Sequence, residues 1–131
     1  MKKTIIIIAS IILALILAIS GVIFIPRFIE AAHVGTFTLS DYSHFMEGFE
    51  SERVLGATDT AKDARQKAEK VFVEIYGKSV KEEKPFLVAF DEESQVWLVS
   101  GNWPPKGSKG GAAKILIQKS DGKVLAVWHE K

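Results

Sequence analysis

Beyond residue 57 the hydrophobic positions follow first a helical and then a strand period. In residues 58–76, TDTAKDARQKAEKVFVEIY, Ala61, Ala64, Ala68, Val71, Phe72 and Ile75 recur at three- and four-residue intervals, with Lys62, Asp63, Arg65, Gln66, Lys67, Glu69 and Lys70 between them. This spacing predicts one amphipathic helix. Thr60 followed by Asp63 resembles a capping box with Asp in place of Glu or Gln, and Gly77 suits the position just past the C-cap. The alanines permit close approach to a sheet, while Phe72, Ile75 and Tyr76 supply bulk. Burying each of those large side chains contributes on the order of 1.5–3 kcal/mol. The helix is therefore expected to lie on a sheet as a lid, with its charged side solvated.

After a charged turn at Lys81, Glu82, Glu83 and Lys84, Pro85 opens a strand over residues 86–90. A polar turn at 91–94 precedes a second strand over 95–101, which carries Val96, Trp97, Leu98 and Val99. Apolar runs this continuous are expected of strands covered on both faces. Residues 110–131, GGAAKILIQKSDGKVLAVWHEK, read as a hairpin. Ala113, Ile115 and Ile117 share a face, and Val124, Ala126 and Trp128 are expected to share the matching one. Asp121-Gly122 stands between them and readily takes positive φ values, which would set the register. Because an isolated hairpin is only marginally stable, it needs the other strands or the helix. The predicted fold class is α+β, with one amphipathic helix packed on a four-stranded antiparallel sheet.

The N-terminal region has a different pattern. Two lysines, Lys2 and Lys3, precede residues 5–25, which carry no charge and are interrupted only by Ser10, Ser20 and Gly21. Those 21 residues would span about 31 Å as a helix, close to the thickness of a bilayer core. Residues 1–27 thus read as a transmembrane anchor. The flanking charges, Lys2 and Lys3 against Arg27, place the amino terminus in the cytoplasm and the domain outside. The alternative is a secretory signal cleaved near Ser20, where Ala18 and Ser20 supply small residues, although the apolar run continues past that point to Ile25. Residues 28–57 read as a linker without clear period. Within it Tyr42, Phe45, Met46 and Phe49 could share one side of a short helix that covers the sheet or lies at a membrane interface, or the stretch could be an irregular tether.

Charge and composition narrow the chemistry. The net charge is +1, and without Lys2 and Lys3 the chain has 15 basic and 16 acidic residues, which gives no footing for nucleic acid. There is no cysteine, hence no disulfide and no thiolate metal site. His33 and His44 lie eleven residues apart without companions at zinc-ligand spacing, so no metal site is predicted. The loop at residues 102–111, NWPPKGSKGG, lacks the Gly-Lys-Ser/Thr of a phosphate loop and leads into a strand, so no cofactor or small-molecule substrate is predicted. Its Trp103, Pro105, Lys106 and Lys109 suit a protein-contact tip instead. His129 is the one histidine of the C-terminal domain, without a nucleophile motif to serve, and joins them as a candidate contact residue.

Taken together, several stretches resemble the NTF2-fold immunity proteins of bacterial polymorphic toxin systems, including small Rhs-linked envelope proteins. They are Ile75-Tyr76-Gly77, Glu83-Lys84-Pro85-Phe86, Val96-Trp97-Leu98-Val99-Ser100-Gly101, Gly110-Gly111 leading to Ile115-Leu116-Ile117-Gln118-Lys119, and Asp121-Gly122-Lys123-Val124-Leu125 with His129 and Lys131. The resemblance covers residues 58–131. It implies a non-catalytic protein that neutralises a toxin domain by binding it, on a reduced NTF2- or cystatin-like fold of helix on antiparallel sheet. A PepSY-like envelope inhibitor or sensor module is the alternative, since a helix followed by strands ending in such a hairpin occurs there too. A small hydrolase with His129 as base would need a polar pocket between helix and sheet.

Overall fold

The computed structural model describes residues 34–102 and 111–130. The predicted anchor at 1–27, residues 28–33 of the predicted linker and loop residues 103–110 lie outside them. Among the described residues, no helix is long and apolar enough to cross a membrane. Residues 34–57, expected to act as a linker, belong to the same compact unit as the rest of the described chain.

In chain order the elements are β1 (Gly35–Thr36), a 3-10 turn (Leu39–Tyr42), α1 (Ser43–Met46), α2 (Ala61–Tyr76), a 3-10 helix (Lys78–Glu83), β2 (Leu87–Asp91), β3 (Val96–Ser100), β4 (Ala113–Gln118) and β5 (Val124–His129). The predicted amphipathic helix is α2, and its ends follow from local chemistry. Thr60 is extended, and its hydroxyl accepts the Asp63 N–H at 3.1 Å as an N-cap should. Thr58 stays outside the helix because its backbone is used elsewhere. Its N–H donates to the Lys119 carbonyl at 2.8 Å, and its carbonyl accepts the Trp97 indole N–H, also at 2.8 Å. At the other end Gly77, with φ of 85°, stops the helix while its N–H still reaches the Val73 carbonyl.

The sheet has five strands in the order β1-β2-β3-β4-β5, and β1 runs parallel to β2. It is therefore a mixed sheet, not the four-stranded antiparallel one expected. The additional strand pairs Gly35 with Ala89 and Thr36 with Phe90. Two residues, one of them glycine, carry no hydrophobic period that could announce a strand. The other pairs are antiparallel, with Trp97 opposite Phe90 on one side and Ile117 on the other.

A second difference arises in the terminal hairpin. Leu116 pairs with Ala126 but Ile117 with Val124, so Leu125 is an extra residue on β5. Such a bulge reverses the alternation of side chains beyond it. Val124 consequently faces α2, while Ala126 and Trp128 face the opposite side. The three were expected on one face.

Two cores result. On one face Phe72, Val71 and the alanines of α2 pack against Trp97, Val99, Ile115 and Ile117. On the other, Val96, Leu98, Leu116 and Ala126 lie beneath Phe37, Leu39, Tyr42, Phe45, Met46 and Phe49. The segment left open between a sheet cover and a tether is a cover, and the continuous apolar run of β3 is explained by burial on both faces. Asp91 fastens this layer, since its Oδ2 accepts both the Ser94 hydroxyl at 2.7 Å and the Leu39 N–H at 3.1 Å. Those hydrogen bonds, that of Ser94 foremost, hold its carboxyl below the ordinary aspartate range. Ile75 departs from expectation. It lies on the apolar stripe yet remains 52% exposed, while Val73 and Tyr76 of the same turn pack against the core.

The two described tryptophans make a test of this packing. The Trp97 indole N–H is satisfied by buried Thr58, whereas the buried Trp128 N–H has no partner among the described residues. Trp97→Phe should cost about 1–3 kcal/mol by leaving the Thr58 carbonyl unpaired. Trp128→Phe loses no hydrogen bond, keeps the stack on Phe45 at 4.1 Å, and should cost about 1 kcal/mol or less. Urea midpoints of the two variants check the ordering; equal losses would contradict it.

Candidate functional site

The site is built at one corner of the sheet, where β3 ends, β4 begins and β5 finishes. Backbone bonds tie these ends together. The Gly101 N–H donates to the Ala113 carbonyl at 2.8 Å, that of Glu130 to the Ala112 carbonyl at 3.1 Å, and that of Gly111 to the Glu130 carbonyl. The Asn102 N–H reaches the carbonyl of Glu83 at 2.7 Å. Both feet of the glycine- and proline-rich loop are therefore fixed to the scaffold. Trp103, Pro105, Lys106 and Lys109, the candidate contact residues of that loop, lie outside the described residues.

His129 is at this corner. Its strand partner is Ala113, and its ring lies 5.3 Å from that of Tyr76 at the end of α2. Its Nε2 stands 3.9 Å from Oε2 of Glu83, too far for a hydrogen bond. Its side chain is 38% exposed, so one edge remains available at the foot of the loop.

Glu83 is the residue that sequence reading missed. It belongs to the charged turn at Lys81 to Lys84, yet it is only 7% exposed, and its Oε1 accepts the Ala113 N–H at 2.8 Å. Two features bring it inside. In a 3-10 helix residues three apart eclipse, which puts Glu83 on the same side as buried Val80. Gly101 then leaves the room, since a Cβ there would collide with the Glu83 side chain. The burial of Val80 three residues earlier was the available signal, and it required recognising the 3-10 turn. Burial, and secondarily the negative charge of Glu83, push the Tyr76 hydroxyl above its ordinary pKa.

Chemically, this corner holds a carboxylate already engaged by a backbone N–H, an imidazole and a phenol. The space between α2 and the sheet, where a hydrolase using His129 would need its polar pocket, is occupied by Phe72 and Trp97 among other core residues. Ile75 takes no part in filling it. Among the described residues, no group of three or more His, Asp or Glu could hold a metal ion. The outer face of α2 carries an open groove of about 590 Å³ lined by Gln66, Glu69, Lys70, Val73, Glu74 and Lys81, with charges of both signs.

Comparison with known proteins gives a result for one region. No curated protein and no solved structure matches the chain significantly. The family model for the NTF2 fold immunity protein matches residues 63–131, just over half of the chain and including most of α2, β2 to β5 and the corner around His129. The chain therefore belongs to the NTF2 fold immunity protein family, and its role at that level is to neutralise a toxin through a protein partner.

Proposed function

We propose that this chain is a membrane-anchored, non-catalytic immunity protein that binds its cognate toxin domain outside the cytoplasm. Residues 5–25 serve as the anchor, with the amino terminus cytoplasmic. The contact is made at the loop corner by Trp103, Pro105, Lys106, Lys109 and His129. The observation that carries the binding role is the filled interior: Phe72 and Trp97 occupy the space between helix and sheet, which leaves the surface as the working part. Support for the corner comes from its anchorage, since loops held by a rigid scaffold are where binding residues concentrate. Tryptophan at a contact centre supplies a large hydrophobic area, and paired lysines steer an acidic partner. The anchor is supported by the uncharged run of residues 5–25 after Lys2 and Lys3.

The test is capture from native membranes with the full chain as bait, beside Trp103→Ala and Lys106→Ala/Lys109→Ala variants. Stoichiometric recovery of a toxin domain, reduced about tenfold or more by the loop changes, is the expected result. Recovery of a sensor or peptidase would instead favour an envelope inhibitor or sensor module. Unchanged recovery of toxin by the variants would remove the loop from the contact.

A further inference from the structure

β5 is the outer strand of the sheet, and the directions of its backbone groups can be read from its two ends. The Val124 N–H donates away from β4, to the Arg53 carbonyl at 3.0 Å. The Glu130 N–H donates toward the β4 side, to the Ala112 carbonyl. Alternation back from Glu130 turns Trp128 inward, and turns the N–H and C=O groups of His129 and Val127 outward. Among the described residues, the segment Arg53 to Leu55 pairs only with the first part of this margin, at Gly122, Lys123 and Val124. Among the described residues, two donors and two acceptors therefore stand in a row without a neighbouring strand.

The other margin of the sheet provides a comparison within the same molecule, since β2 is covered there by β1. Exposed margins in monomeric proteins are commonly guarded by lysine, proline or an inward charge. Residues 124–129, VLAVWH, contain no lysine, proline or acidic residue. The bulge at Leu125 lies toward the end already occupied by Arg53 to Leu55. Two exposed large hydrophobic residues belong to segments that reach the two ends of this margin. Val54 pairs beside Lys123 at one end, and Ile75 adjoins Tyr76, whose ring meets His129, at the other.

We propose that this margin of β5 takes up an extended segment of the toxin domain, which adds a strand beside Val127 and His129; the proposal rests on the immunity reading above. A row of unpaired main-chain donors and acceptors recognises another extended backbone, and side chains on alternate positions provide selectivity. The toxin segment carries an apolar side chain on the α2 side, where Ile75 is exposed. A second copy of this chain is the weaker occupant. Two copies joined through Val127 and His129 alone would make a contact well short of the roughly 1,200 Å² at which stable interfaces begin.

Amide hydrogen exchange read by NMR tests this, using the full chain in detergent micelles with and without the toxin domain recovered in the capture experiment above. In the free chain the Val127 and His129 amides exchange faster than those of Ala126 and Trp128. In the complex they gain about tenfold or more protection. Val127→Pro removes one outward donor while sparing the bonds to β4, and weakens binding about tenfold. Ile75→Asp, outside the core, weakens it without loss of fold. A complex that forms while Val127 and His129 exchange as before overturns strand addition and leaves the immunity reading intact. Failure of a folded chain to bind the toxin domain overturns both. Protection that rises with the concentration of the chain alone assigns the margin to a second copy and overturns the proposal.

Discussion

Phe72→Ala is expected to remove about 3–5 kcal/mol of folding stability, a large part of what a domain of this size possesses. Phe72 is fully buried, and its ring meets Phe86 edge-on at 5.5 Å and Tyr76 at 6.4 Å. Around it the neighbours are strands and the helix itself, which cannot close over the missing ring, so the loss combines transfer and cavity terms. Ile75→Ala, three residues on along the same stripe, should change stability by less than about 0.5 kcal/mol because Ile75 is more than half exposed. Urea unfolding of the two variants, followed by tryptophan fluorescence, checks the contrast. Similar losses would mean that α2 lies over the sheet differently from the arrangement described.

Gly122→Ala is the second large effect, for a different reason. Gly122 has φ of 73°, which a residue with Cβ adopts at a cost of about 1 kcal/mol. The added methyl would also run into the backbone of Gly56, whose atoms have no rotamer by which to move aside. The segment around Gly56 would have to shift, and it carries the bonds from Leu55 to the Gly122 carbonyl at 2.9 Å and from Thr58 to the Lys119 carbonyl at 2.8 Å. Thr58 also accepts the Trp97 indole, so disturbance at the turn reaches the centre of the core. A loss of about 3 kcal/mol or more is expected from strain and disrupted bonds together. Gly48→Ala separates the two causes. Gly48 has the same φ of 73° with open space around it, so its loss should stay near 1 kcal/mol.

The hairpin turn and the helix were legible in the sequence because single residues announce them. Thr60 caps, Gly77 stops, Gly122 turns, and the alanine stripe faces a sheet. What was not legible depends on pairing between distant segments. The bulge at Leu125 exists because residues 124 and 126 meet Ile117 and Leu116, and without that register strict alternation was the correct expectation. β1 has only Gly35 and Thr36, whose strand character comes from β2 beside them. Ile75 shows that a place on the apolar stripe does not fix how far a side chain is buried. Glu83 required the most information, because a carboxylate is admitted to the interior only by Gly101 above it and the Ala113 N–H in front of it. At the candidate site, the type of His129 was legible, but its neighbours Tyr76 and Glu83 were not.

The central claim is that this chain neutralises a toxin by binding it on the outer side of the membrane. Growth protection tests it most directly: the toxin domain recovered with the chain by capture is expressed either with an export signal or confined to the cytoplasm, each with and without the full chain. The account predicts that the chain restores growth against the exported toxin and forms a stoichiometric complex with it, while toxin trapped in the cytoplasm is not relieved. No protection in either compartment, with the chain present and folded in the membrane, would contradict the claim.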